Sequence, residues 1–186
     1  MKRFFPALFV ALSFTVLLTA QMLFNGSESS AGKIENQKEK FSSYEMSFQK
    51  LKLSTTKGTT LQLKDVKQPI VILNFWASWC QPCLSEFSTL KKLIKKFPND
   101  KLLVIGINND DENPARAVKK VEKDLKLTFE SVIDKDNTIT SAFFISRIPG
   151  SIIFHKGKVI QYTNEEFNFT DTKFVRMIDR LLKQKI

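Results

Sequence analysis

The stretch Phe75-Trp76-Ala77-Ser78-Trp79-Cys80-Gln81-Pro82-Cys83 joins two segments of different periodicity. Upstream, Pro69-Ile70-Val71-Ile72-Leu73-Asn74-Phe75-Trp76 is a near-continuous apolar run, which suits a central strand covered on both faces. Downstream, Cys83, Phe87, Leu90, Ile94 and Phe97 recur at three- and four-residue steps, the stripe of a helix that faces a sheet. Pro98-Asn99 ends that helix. The only two cysteines of the chain therefore lie at a strand-to-helix junction. A helix starting at Cys80 sets its sulfur beside unpaired backbone N–H groups and the positive end of the macrodipole, which favours thiolate. Cys80 is the expected nucleophile. Cys83, one turn on and on the core-facing stripe, is the expected resolving thiol, buried and within bonding reach. Thiolate Cys80 would attack a partner disulfide, and Cys83 would cut the mixed disulfide and release the reduced partner. Run backwards, the same steps oxidise a dithiol.

Competing chemistries need residues that this chain does not supply. A structural zinc site takes four ligands, usually cysteine or histidine, and the sequence offers two cysteines and His155. A purely structural disulfide across two residues closes too short a loop to constrain much of the unfolded chain. A non-enzymatic copper chaperone could use the two thiolates as soft Cu(I) ligands, but no Met or His is tied to the motif. No metal or cofactor is expected, and His155 reads as surface or structural.

Working outward, Phe48, Leu51 and Leu53 lead through Lys57-Gly58 to Leu61 and Leu63 in the pattern of an N-terminal β-hairpin. Residues 102–107 read as a second buried strand, and an Asn-Asp-rich segment up to Pro114 turns into a helix over 115–127. A third strand over 129–133, a short helix over 138–145 and a strand over 151–154 follow. Lys156-Gly157 makes a hairpin to residues 159–162, and Thr170-Asp171 caps a last helix carrying Phe174, Met177, Ile178, Leu181 and Leu182. The βαβα alternation predicts an α/β fold with a central mixed sheet flanked by helices and a helical insertion.

Length, composition and charge bound the setting. The 186 residues, with 42% hydrophobic and 26% charged residues and 17 Phe, describe a globular chain with material for one core and exclude wholesale disorder. Lys2 and Arg3 precede an apolar run over residues 4–24, an export signal long enough to span a bilayer. Either an uncleaved anchor or cleavage after Ala31 would place the rest outside the cytoplasm. The expected organisation is a signal or anchor segment over 1–31, a polar tether over 32–45 and a domain over 46–186. The formal charge of +10 fits general solubility better than a lipid or acidic-partner patch, and the basic residues do not gather with aromatics as a nucleic-acid surface does.

The motif around Cys80 and Cys83 resembles the active-site signature of the thioredoxin superfamily. The leader, the Gln81-Pro82 dipeptide, Glu86 and the acidic segment before the second helix resemble its extracytoplasmic TlpA/ResA branch. The likeness covers residues 45–186. It implies a thioredoxin-like fold and a usually reducing thiol–disulfide oxidoreductase, often serving cytochrome c maturation. Implied partners are exported proteins with a disulfide or dithiol, apocytochrome c first, and a membrane electron-donor thiol carrier. A disulfide oxidase or isomerase is the alternative within the class. The resemblance also places a cis-proline at Pro149, with the Ile148 backbone presented to a partner strand, and Gly150 departs from the Thr common after that proline. Thioredoxins carry an Asp in the central strand where this chain has Asn74. Glu86, one turn after Cys83 at the margin of the core-facing stripe, is then the candidate proton carrier. Of the two tryptophans, Trp76 should pack in the core with Phe75, and Trp79 should shield the sulfurs and meet substrate.

Overall fold

The computed structural model describes residues 30–184 and, nearer the N-terminus, residues 15–17, 19 and 21. Most of the apolar run over residues 4–24, with the export, anchoring and cleavage expectations that rest on it, lies outside the described residues. Among the described residues no helix is long and apolar enough to cross a membrane. The chain divides into two units, Met1–Lys40 and Phe41–Ile186.

Helix α1 (Ser30–Lys50) occupies the segment expected to be a polar tether. Its described side chains from Glu35 to Glu39 are exposed, as the Lys- and Glu-rich sequence demands. From Phe41 onward the helix belongs to the second unit. There Tyr44 and Phe48 are buried, and spacings of three and four residues put Phe41, Tyr44 and Phe48 on one face. The apolar stripe of a helix is thus carried by three aromatics in an otherwise polar stretch.

Strands β1 (Lys52–Ser54) and β2 (Thr60–Gln62) form the expected antiparallel hairpin, turning where Gly58 takes a positive φ of 84° that suits glycine. The main sheet contains β3 (Ile70–Trp76), β4 (Leu102–Asn108), β5 (Glu130–Ile133), β6 (Gly150–His155) and β7 (Lys158–Thr163). Their order is β5-β4-β3-β6-β7. β4 runs parallel to β3 and β5, whereas β6 is antiparallel to β3 and β7. Helices α2 (Gln81–Lys96), α3 (Pro114–Asp124), α4 (Thr138–Ala142) and α5 (Thr172–Lys183) complete the mixed α/β architecture. Asp171 caps α5 by accepting the N–H groups of Lys173 and Phe174.

All seven residues of β3 are buried, and alternation sends them to two separate cores. Ile70, Ile72 and Trp76 join Cys83, Phe87, Leu90 and Leu93 of α2, Val118 and Val121 of α3, and Phe174 and Ile178 of α5. Val71, Leu73 and Phe75 face the other way, onto Tyr44 and Phe48 of α1 and onto Ile139 and Phe143. A strand buried on both sides has no polar face to alternate, which is why its sequence reads as one apolar run. Neither outer strand is bare. Thr55 bridges Val132 of β5 and the Thr56 N–H donates to Ser131 O at 2.8 Å. On the far side Glu45 of α1 accepts the Val159 N–H of β7 at 3.1 Å and pairs with Lys158.

Candidate active site

The end of β3 is held by its neighbour before the chain reaches the cysteines. The Asn109 N–H donates to Trp76 O at 2.9 Å. At the next residue, the Asp110 carboxylate accepts the Ser78 N–H at 3.0 and 3.2 Å and the Ser78 hydroxyl at 3.0 Å. Asn108 Nδ2 donates to the same carboxylate at 2.9 Å. Asp110 is 3% exposed, so this buried carboxylate fixes the turn that delivers Cys80. Sequence reading passed over it, taking the Asn-Asp-rich segment for a turn. The available signal was the lone Ser between two large aromatics, which needed a partner.

Cys80 is the N-cap of α2, and its sulfur accepts the Cys83 N–H at 3.3 Å. Pro82 sits in the first turn, where a residue without an N–H leaves no donor unmatched. The two sulfurs are joined in a disulfide with Cα atoms 5.3 Å apart. Cys83 is fully buried and Cys80 is nearly so. The disulfide end nearer solvent thus belongs to the residue at the positive end of α2, where a backbone donor already points at the sulfur. Trp79, beside it, is 69% exposed.

Glu86 does not lie on a solvated helix face. It is 2% exposed, and Asn74 Nδ2 donates to its Oε1 while the Phe167 N–H donates to Oε2 at 3.0 Å. Burial is the main influence on its carboxyl, which is pushed up to about 7 from an ordinary 4.5. The Phe167 and Asn74 donors pull the other way, and Glu166 adds to the rise. Asn74 Nδ2 also donates to Ser151 Oγ at 2.9 Å. Ser151 and the Phe167 amide were not read as site residues, because Ser151 reaches Asn74, and the Phe167 N–H reaches Glu86, only through tertiary packing.

Ile148 and Pro149 are joined by a cis peptide bond. Gly150, next in sequence, pairs with Phe75 at the cysteine end of β3, and Ile148 packs against both cores. A Cβ at Gly150 would lie 3.3 Å from Arg147 O and 3.6 Å from Ile145 Cγ2, so a side chain at the position commonly held by Thr would be crowded here. The fold therefore gathers Trp79, Cys80, Cys83, Glu86, Ile148 and Pro149 around one end of β3. His155 pairs with Ile70 at the opposite end. Burial, and then Lys156, lower its pKa. Trp76 and Phe75 are core residues, on opposite faces of the sheet.

A family model described as AhpC/TSA matches residues 45–163, from within α1 through β7 and across the disulfide. The chain belongs to the AhpC/TSA family. Among curated relatives, a thiol-disulfide oxidoreductase ResA of Bacillus cereus is 33% identical over 105 residues, which are 56% of this chain and 60% of that protein. Thioredoxin-like protein YneN of Bacillus subtilis is 36% identical over 110 residues, 59% of this chain and 64% of that one. The chain thus spans less than two thirds of the length of either relative. Among solved structures, StoA from Bacillus subtilis superposes with a TM-score of 0.58 at 23% identity, over 72% of this chain and 96% of StoA. The mixed five-stranded sheet with flanking helices is the thioredoxin-like fold that this AhpC/TSA member shares with StoA.

Proposed function

We propose that this protein is a thiol–disulfide oxidoreductase working outside the cytoplasm, a dithiol reductase of exported proteins that cycles through Cys80 and Cys83. The observation that carries the reading is the Cys80–Cys83 disulfide with one sulfur at the N-terminus of α2 and the other buried one turn from a buried carboxyl. The names of ResA and YneN support the same chemistry. In the reduced protein, thiolate Cys80 attacks a substrate disulfide, forming a mixed disulfide and expelling one substrate thiolate, which takes up a proton. Glu86 accepts the Cys83 proton. The Cys83 sulfur then attacks Cys80 Sγ, the protein disulfide forms, and the second substrate thiol leaves. Two electrons pass from the protein dithiol to the substrate, and a membrane thiol carrier restores them. Trp79, Ile148 and Pro149 line the approach of the partner polypeptide. Apocytochrome c fits the substrate class, and the apolar run over residues 4–24 serves export and tethering.

Trapping tests the assignment. Cys83→Ser should accumulate a mixed disulfide with its partner in non-reducing gels, whereas Cys80→Ser should neither reduce nor trap. Equal recovery of complexes from both variants would remove the assignment of nucleophile and resolving thiol.

A further inference from the structure

Hydrogen bonds around Glu86 are matched to only one of its two charge states. Its two oxygens face two donors, Asn74 Nδ2 and the Phe167 N–H, the set a carboxylate wants. A protonated Glu86 must donate its O–H, and neither of these groups can accept it. The acceptor that could, Asn74 Oδ1, is buried and has no hydrogen-bond partner, an arrangement that costs free energy wherever it persists. The third group is adaptable. Ser151 Oγ accepts from Asn74 Nδ2 at 2.9 Å, and a hydroxyl can donate as readily as accept.

Turning the Asn74 amide over about its last side-chain bond gives the Glu86 proton an acceptor and gives Oδ1 partners. Oδ1 then accepts from a protonated Glu86 and from the Ser151 hydroxyl, while the two Nδ2 hydrogens move to the buried position that the oxygen had held and give up the bonds to Glu86 and Ser151. We propose that Asn74 is a positioning residue for the Glu86 proton: its side-chain amide turns over as Glu86 gains or loses that proton, and the Ser151 hydroxyl switches between donor and acceptor. The inference rests on the reading of Glu86 as the proton carrier beside Cys83. It adds the device that lets a buried carboxyl be held in both charge states without moving α2. Burial keeps the Glu86 carboxyl up to about 7, so both orientations are populated near neutrality. The charged neighbour acting on it is Glu166, from the segment before α5. β3 and β6 present neutral Asn74 and Ser151, and the disulfide on its own helix carries no charge.

Nuclear magnetic resonance on the full-length, oxidised, isotope-labelled chain reads the amide directly. Above the Glu86 midpoint, the Asn74 side-chain amide protons should show close contacts to the Ser151 and Glu86 side chains. Those contacts should be lost below it, with the same midpoint as the Glu86 carboxyl carbon. In Glu86→Gln the contacts should not change between pH 5 and 9. Contacts that persist unchanged through the Glu86 midpoint would overturn the proposal, as would a pH-dependent loss that survives in Glu86→Gln. Failure of the catalytic reading would look different: the amide would still turn over with the carboxyl, but the exchange rate of Glu86→Gln would follow the wild-type pH profile.

Discussion

At the scale of single residues, Glu86 ties stability to pH. Its carboxyl holds a proton more tightly in the folded protein, near 7, than at the ordinary 4.5 of an exposed chain. The contribution is fully present below about 4.5 and is lost as pH rises through 7, because the folded state must then keep a buried charge. The span corresponds to a loss on the order of 3 kcal/mol. Urea unfolding of the oxidised protein should therefore show falling stability between pH 4.5 and 8, and Glu86→Gln should flatten that fall. An equal decline in both proteins would assign the pH dependence elsewhere. The exchange rate of the wild type should inflect near 7 and that of Glu86→Gln should not. The reading of Glu86 as a proton carrier came with the thioredoxin resemblance and Asn74, whereas its place next to Cys83 was legible because a three-residue step on a helix puts the two on one face. Ser151 and Asp110 were not: Ser151 meets Asn74 across 77 positions and Asp110 meets Ser78 across 32, and no local pattern marks such pairs.

At the scale of elements, legibility followed the strength of the pattern. β3 and α2 read correctly because a doubly buried strand and a one-sided helix leave different apolar periods. α3 ends at Asp124 and α4 at Ala142, shorter than the apolar pattern implied. After α4 the chain turns sharply at Phe144, φ 49°, and the neighbouring Phe143 stays in the core. α1 was misread because composition outweighed spacing: Lys, Glu, Gln and Ser dominate it, yet Phe41, Tyr44 and Phe48 sit three and four apart. Its packing is testable. The Phe48 ring lies 4.5 Å from that of Phe154 in β6, so Phe48→Ala should cost about 3–5 kcal/mol by denaturant midpoint. A loss below about 1 kcal/mol would mean that the last turns of α1 contribute little to the core.

For the second unit as a whole, residues 41–186, the sheet separates two cores. The disulfide belongs to one of them, and the chain around Ile148 touches both. Both lateral borders of the sheet are occupied, one by the Thr55 bridge to β5 and the other by the Glu45 carboxylate on β7. Unsatisfied border strands are templates on which further chains polymerise. A chain whose borders carry such contacts should stay dispersed, and light scattering should return one unchanged particle size across a hundredfold range of concentration. Replacing Glu45 by Ala frees the Val159 N–H, and growth of larger particles in that variant alone would mark this carboxylate as a guard against fibre formation.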